Sequence, residues 1–200
     1  MAYLRMIRDY NIRQALPAAN KAALLVIDLQ QYFDGIVAPI LDNVLALIDA
    51  CRSARVQIAY TRHGHRNPQQ DGGMLATWRG DLIEYGSTAW GLNRKLKPSS
   101  SELMLDKGRY TAFHGADLDV WLRQNRVEDL IICGVMTNCC CETTARDAFV
   151  RDYRVFFVAD ATATVNEELH VASLKNLAFG FSYILETEEL CRYLVTDHPR

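Results

Sequence analysis

The fold of this chain is decided by residues 129–151, which read DLIICGVMTNCCCETTARDAFVR. The first part, residues 130–135, is a short apolar run rich in β-branched side chains, as in strands that are covered on both faces. From Asn138 onward, four apolar residues are spaced to share one face of a helix: Cys141, Ala145, Ala148 and Phe149. The stretch therefore predicts a buried strand joined to an amphipathic helix by a turn with three consecutive cysteines.

The three cysteines lie where this predicted helix begins. Free backbone N–H groups and the positive end of the helix dipole stabilise an anion at such a position. A thiolate is an anion of this kind, so we expect a cysteine here to have a depressed pKa. Cys141 belongs to the apolar stripe and is predicted to lie in the core. Spacing alone does not choose between Cys139 and Cys140 as a reactive thiol.

Strands and helices alternate on both sides of this stretch. Apolar runs predict further strands over residues 22–29, 57–61, 103–106, 155–158 and 183–185. Helical spacing predicts helices over residues 39–52, 117–125, 168–178 and 188–194. This alternation predicts an α/β fold: a doubly wound, Rossmann-like sheet of about six mainly parallel strands with helices on both faces.

The chain shows no Pro/Gly/Ser-rich linker, so residues 1–200 are predicted to form a single domain. Residues 62–101 interrupt the alternation with Gly, Pro and polar residues, but they also contain Trp78 and Trp90. Bulky aromatic residues are more than a linker needs. We therefore interpret residues 62–101 as an excursion that walls a pocket or forms a subunit contact.

Composition limits the classes of protein to which the chain can belong. A formal net charge of −2 disfavours a nucleic-acid-binding surface, which usually carries a basic stripe. Three of the six cysteines are adjacent, which does not suit a disulfide framework and indicates a reducing, cytoplasmic setting. The first residues have no apolar core, and no apolar run approaches the ~18 residues that span a bilayer. Neither secretion nor a membrane partner is expected.

Three polar groups are predicted to converge at one edge of the sheet. Asp28 lies near the end of the first strand, Lys107 follows the third, and the cysteine turn follows the fourth. Ligand sites of open parallel sheets lie at the carboxyl ends of the strands. An aspartate that takes and returns a proton, a lysine that holds a thiolate, and backbone N–H groups for an oxyanion would make a cysteine hydrolase. Each group also has an ordinary explanation: Asp28 as a cap or salt bridge, and Lys107 as a surface charge.

At this point the residues resemble a known family. The segments LLVIDLQ, LDKGRYTAF and GVMTNCCCETTARDA, with Asp28, Lys107 and Cys140, are similar to the three motifs of the isochorismatase-like cysteine hydrolases. The resemblance implies that these three residues are catalytic. It also implies a cis peptide bond between Val135 and Met136, and an oxyanion hole formed by the backbone N–H groups of Met136 and Cys140.

The resemblance also implies an activity. A cysteine at the seventh position of the third motif favours attack on a carbonyl, because family members that hydrolyse a vinyl ether lack it. Together with TRHGHRNPQQDGGML, the pattern is most similar to the plant-type nicotinamidase branch. We therefore expect a cysteine amidohydrolase that cleaves a small carboxamide through a thioester. The expected substrate pocket is formed by Phe33, His63, His65, Trp78, Phe113 and Thr137.

Two further classes stay open from the sequence. One is an isochorismatase-type enzyme or another small amide or carbamoyl hydrolase. The other is a non-catalytic redox or binding protein that uses the cysteine cluster for a metal or a peroxide. The resemblance also implies a homo-oligomer, a dimer or a tetramer.

Many nicotinamidases hold a divalent ion with an Asp-x-His pair and further histidines, and the matching segment here is His63-Gly64-His65. Rings at i and i+2 of an extended strand point to one side, which suits a ligand pair. His63 replaces the aspartate, however, and no histidine follows until His114. No cofactor is therefore expected, with His63 and His65 as the candidate ligands if an ion binds. The alternative is that both histidines line the pocket or pair with Asp71 or Glu84.

Overall fold

A computed structural model describes residues 2–196 of the chain. Within them, one sheet contains six strands, all paired in parallel, in the order β3-β2-β1-β4-β5-β6. The strands are β1 (Ala22–Ile27), β2 (Gln57–His63), β3 (Leu103–Lys107), β4 (Asp129–Val135), β5 (Arg154–Ala163) and β6 (Tyr183–Leu185). The predicted α/β fold with a parallel sheet is confirmed.

Helices cover both faces of the sheet. They are α1 (Ala2–Met6), α2 (Asp34–Val37), α3 (Leu41–Ser53), α4 (Pro68–Asp71), α5 (Gly73–Arg79), α6 (Leu118–Gln124), α7 (Glu142–Phe149), α8 (Glu167–Gly180) and α9 (Thr187–Thr196). Leu25 and Ile27 of β1 pack on the side of α6, α7 and α8, whereas Leu24 and Val26 pack on the side of α3 and α9. Two-sided burial explains why β1 is a continuous apolar run. No helix within the described residues is long and apolar enough to cross a bilayer.

The end of β4 differs from the predicted strand-to-helix junction. A π-helical turn, Thr137–Cys141, follows the strand, and the α-helix α7 begins only at Glu142. Cys141, Ala145 and Ala148 are fully buried as expected. Phe149 was expected on the same buried stripe, but 46% of it is exposed. It is the last residue of α7 and packs edge-on against Phe181 at the surface.

Gly134 allows β4 to approach β1 closely at the end of the sheet. It pairs with Ile27 in the register of these strands and has a φ of 122°. A Cβ at this position would collide with the Ile27 carbonyl. Only glycine therefore fits, and the close approach places the turn after β4 beside Asp28, which directly follows β1.

We predict that Gly134→Ala lowers the free energy of unfolding by roughly 3 kcal/mol or more, because backbone atoms of β1 must move away. Gly35→Ala is the matched control, since a Cβ on this helical residue meets nothing within 4 Å. The control should change stability by less than about 1 kcal/mol. Urea titrations of both variants measure the difference, and equal effects would contradict the close-approach argument.

Candidate active site

The structure brings together the three polar groups predicted to converge. Lys107 Nζ lies 2.7 Å from Asp28 Oδ2, and both side chains are fully buried. Lys107 Nζ also donates a hydrogen bond of 3.0 Å to the Arg109 carbonyl. The Cys140 thiol lies close enough to Asp28 and Lys107 for both to shift its pKa. A thiol, a carboxylate and an ammonium therefore share one buried site at the carboxyl ends of β1, β3 and β4.

Burial and neighbouring charges shift the pKa values of Lys107 and Cys140. Burial alone would lower the pKa of the Lys107 ammonium, but Asp28 and Cys140 outweigh burial and raise this pKa. Burial raises the pKa of the Cys140 thiol well above its usual range, against the opposing effect of Lys107. The sequence-based expectation of a depressed thiol pKa is thus wrong. Cys140 lies inside the π-helical turn with only 6% of its surface exposed, so desolvation outweighs any helix-end effect.

The turn that carries Cys140 is fixed by backbone and side-chain contacts. The Val135–Met136 peptide bond is cis, the geometry that the resemblance implies. The Met136 carbonyl accepts hydrogen bonds from the backbone N–H groups of Cys139, at 3.1 Å, and Cys141, at 3.2 Å. Thr137 was expected in the substrate pocket, but it is fully buried and its Oγ1 lies 2.8 Å from His170 Nδ1 on α8. Thr137 therefore links the turn to α8 and does not line the cavity.

A cavity opens beside Cys140. Its apolar lining residues are Phe33, Leu75, Leu82, Ile83 and Met136, and its polar lining residues are Tyr32, His63, Arg79, Asp81, Tyr110 and Cys139. Residues 75–83 belong to the excursion between β2 and β3, so this segment does wall a pocket. Phe33 and His63, two of the residues predicted for the substrate pocket, are among its lining residues.

Two aromatic residues predicted to line the pocket lie elsewhere. Trp78 is 80% exposed, because it lies on a face of the short helix α5 that points away from the cavity. Phe113 is 7% exposed and stacks on Tyr153 at a centroid distance of 6.1 Å, within the hydrophobic core. The excursion has no strong periodicity, so the sequence could not indicate which way its side chains point.

His65 was also expected in the pocket, but it is fully buried outside the cavity lining. Its Nδ1 lies 3.2 Å from Asp71 Oδ1, the pairing considered as the alternative from the sequence. His63 and His65 lie with ring centroids 5.2 Å apart. Within residues 2–196, no three His, Cys, Asp or Glu side chains are placed to hold a metal ion together. The described residues therefore do not fit the divalent ion of many nicotinamidases.

Two residues of the site, Gln30 and Tyr110, were missed from the sequence. The Gln30 amide donates to the carbonyls of His63, at 2.9 Å, and Trp90, at 2.8 Å, and accepts from the His63 N–H at 2.7 Å. It fastens the excursion to the sheet edge. Arg79 donates to Tyr110 Oη at 3.2 Å and to Cys139 Sγ at 3.4 Å. Gln30 and Tyr110 lie within the motif segments quoted above, which was the available signal.

The chain is similar to proteins of known name. Residues 22–189 match the sequence profile of the isochorismatase domain. Nicotinamidase 3 of Arabidopsis thaliana is 47% identical over 94% of this chain and 96% of its own length. Enterobactin synthase component B of Escherichia coli (strain K12) is 33% identical over 86% of this chain and 62% of its own length. A crystal structure of a cysteine hydrolase from Pseudomonas syringae pv. phaseolicola 1448A superposes with a TM-score of 0.85 and 28% identity, covering 92% of this chain and 98% of that one.

The buried histidines predict how stability depends on pH. Burial, aided at His63 by Lys107, lowers the pKa of His63 to about 4. Burial likewise lowers the pKa of His170 to about 4. In the unfolded chain both take up a proton below about pH 6.5. The unfolded state therefore binds more protons between these values, and stability falls as the pH falls from 6.5 toward 4.

We expect a loss of up to about 2 kcal/mol per histidine between pH 7 and pH 5, measured as the free energy of unfolding in urea. His170→Gln should be less stable at pH 7, because Thr137 loses its partner, but should show a visibly smaller pH slope. His114→Gln is the control, since His114 is exposed, and should keep the full slope. An unchanged slope in His170→Gln would contradict the assignment.

Proposed function

Because the chain belongs to the isochorismatase family of hydrolases, we propose that it is a cysteine amidohydrolase that cleaves nicotinamide or a similar small, neutral carboxamide. The observation that carries this proposal is the burial of the Cys140 thiol close to the Asp28–Lys107 ion pair, beside a cavity with aromatic and aliphatic lining residues. The 47% identity to a nicotinamidase over nearly the whole chain supports the substrate class.

The proposed reaction has two stages. Asp28 takes the proton of Cys140, and the thiolate attacks the carboxamide carbon while the backbone N–H groups of Met136 and Cys140 bind the developing oxyanion. The C–N bond breaks as Asp28 returns the proton to the leaving ammonia, which leaves a thioester on Cys140. Asp28 then takes a proton from water, and the hydroxide attacks the thioester. The C–S bond breaks as Asp28 returns the proton to the Cys140 sulfur, which frees the carboxylic acid and restores the thiol. Lys107 remains charged throughout and stabilises the Asp28 carboxylate and the Cys140 thiolate.

The charges around the cavity favour a neutral substrate. The Asp28 carboxylate and the Lys107 ammonium offset each other, and Arg79 and Asp81 line the same cavity with opposite charges. His63 is neutral at pH 7 because its pKa is lowered to about 4. Isochorismate is a dicarboxylate and would find little net positive charge here. A flat, uncharged ring suits the walls formed by Phe33 and Tyr110.

One observation favours a second candidate, an amide or carbamoyl substrate that carries a carboxylate. Arg79 makes hydrogen bonds with a phenol and a thiol, and no salt bridge to a carboxylate is formed by Arg79 among residues 2–196. Its guanidinium is therefore available to an anionic group of a substrate.

Turnover of nicotinamide, maleamate, carbamoyl compounds and isochorismate separates these candidates. We expect kcat/KM for nicotinamide to exceed that for maleamate at least about tenfold. Arg79→Met should change nicotinamide turnover less than about threefold, because a neutral ring does not need the cation. Arg94→Met is the matched control, an exposed arginine outside the cavity lining. Preference for maleamate that is lost in Arg79→Met would establish the carboxylate-bearing class instead.

The three cysteines are predicted to differ in their effect on turnover. Cys140→Ala should lower kcat by about a thousandfold or more, since it removes the thiol on which both Asp28 and Lys107 act. Cys139→Ala should retain activity within about tenfold, because Cys139 lines the cavity beside Arg79 but takes no part in the proposed reaction. Cys141→Ala should keep its activity but unfold more easily, because Cys141 is fully buried in the core. Equal losses at all three positions would point to a packing role and to a non-catalytic protein.

We further propose that the enzyme acts in the cytoplasm as a homo-oligomer and needs no metal cofactor. Met74 and Trp78 are 72% and 80% exposed on α5, within the excursion that was interpreted as a pocket wall or a subunit contact. Large apolar side chains that are exposed together favour a protein contact. Light scattering gives the assembly state, and activity after dialysis against EDTA tests the requirement for a metal.

A further inference from the structure

The structure shows a side chain that holds the proposed base, Asp28, from the neighbouring strand. Thr61 on β2 is fully buried, and its hydroxyl donates a hydrogen bond of 2.6 Å to Asp28 Oδ1. The same hydroxyl accepts a hydrogen bond from the Asp28 backbone N–H at 3.2 Å. We propose that Thr61 is a positioning residue that sets the plane of the Asp28 carboxylate, so that Oδ2 faces the Cys140 thiol. This inference rests on the proposed function.

The Asp28 carboxylate needs such a partner because rotation about its terminal torsion is soft. On one side, Oδ2 lies 2.7 Å from the Lys107 ammonium. An ammonium is a compact point charge that attracts a carboxylate without fixing its plane. A second, directional hydrogen bond to Oδ1 fixes the plane. Thr61 supplies this bond, and it also donates to the charged form of the carboxylate, which favours the ionised state that a base requires.

The fold explains why Thr61 can reach Asp28. In the parallel register of β1 and β2, Ile27 lies opposite Thr61, so Thr61 is one step from Asp28. Asp28 then leaves the strand with a φ of 51°, in the left-handed region, which turns its chain direction at the sheet edge. The β-branched Thr61 side chain has few rotamers in a strand, so its hydroxyl is held in place before the reaction begins.

The ordinary explanation is that a buried hydroxyl simply needs an acceptor. That explanation predicts a loss of stability when the hydroxyl is removed, with no specific effect on the chemical step. Positioning predicts instead that kcat falls while KM is nearly unchanged, because a misplaced base impairs proton transfer but not binding. It also predicts that the Cys140 thiol reacts more slowly with any electrophile.

Two matched pairs of proteins test the proposal. Thr61→Val keeps the shape and removes the hydroxyl of the native threonine. Thr61→Ala and Thr61→Ser are both smaller and differ from each other only by the hydroxyl, which keeps the test valid if Thr61→Val does not fold. For each protein we would measure kcat and KM for nicotinamide, and the rate at which iodoacetamide alkylates Cys140, read from peptide masses. Thermal melting reports stability separately.

We expect Thr61→Val and Thr61→Ala to lose about a hundredfold in kcat with KM within about threefold. Alkylation of Cys140 should slow at least about tenfold in both, and Thr61→Ser should stay within about fivefold of the native protein in both assays. Native kcat and alkylation rates in the hydroxyl-free variants, or an equal loss in Thr61→Ser, would overturn the proposal. If the native protein hydrolyses no amide, the proposed function fails, and the alkylation series alone decides the role of Thr61.

Discussion

The Asp28–Lys107 ion pair, buried together with the Cys140 thiol, is the interaction on which the site depends. Lys107 Nζ and Asp28 Oδ2 are 2.7 Å apart with no exposed side-chain surface. Removing two charges from water costs several kcal/mol per ion, and apolar replacements of such pairs are often as stable. Stability alone therefore does not explain the pair. The proposed reaction explains why the pair is present, because Asp28 takes the proton of the Cys140 thiol and Lys107 stabilises the resulting thiolate.

The sheet is arranged so that these groups meet. Asp28 follows β1 and Lys107 ends β3, and β2 lies between these strands and contributes Thr61. On the other side of β1, Gly134 lets β4 approach so closely that its cysteine turn reaches Asp28. Four adjacent parallel strands thus supply the cation, the positioning hydroxyl, the carboxylate and the thiol in spatial order. The excursion between β2 and β3 then closes one side of the cavity.

The parts of this arrangement that follow from backbone periodicity were predictable from the sequence. The continuous apolar runs of β1 and β4 predict strands buried on both faces, and parallel strands bring Asp28 and the cysteine turn to one edge. Spacing placed Cys141 in the core. Only the resemblance to a family distinguished Cys140 from Cys139.

What depends on tertiary contacts was not predictable. Trp78 and Phe113 were expected in the pocket, whereas the direction of their side chains is set by helix and core packing. The predicted direction of the Cys140 pKa shift was wrong. The start of a helix can be predicted from local sequence, whereas burial of the thiol depends on tertiary packing. In the sequence, nothing distinguishes Thr61 from other β-branched residues of predicted strands. Its importance appears only when the neighbouring strand brings Asp28 within 2.6 Å of its hydroxyl.

The central claim is that Cys140 forms a thioester with the acyl group of a carboxamide. The most direct measurement is mass spectrometry of protein quenched in acid during nicotinamide turnover, followed by digestion and fragmentation of the peptide that contains residues 139–141. We expect a nicotinoyl group on Cys140, absent from Cys139 and Cys141 and absent in Cys140→Ala. Turnover of nicotinamide with the acyl group on another residue, or undiminished turnover by Cys140→Ala, would contradict it.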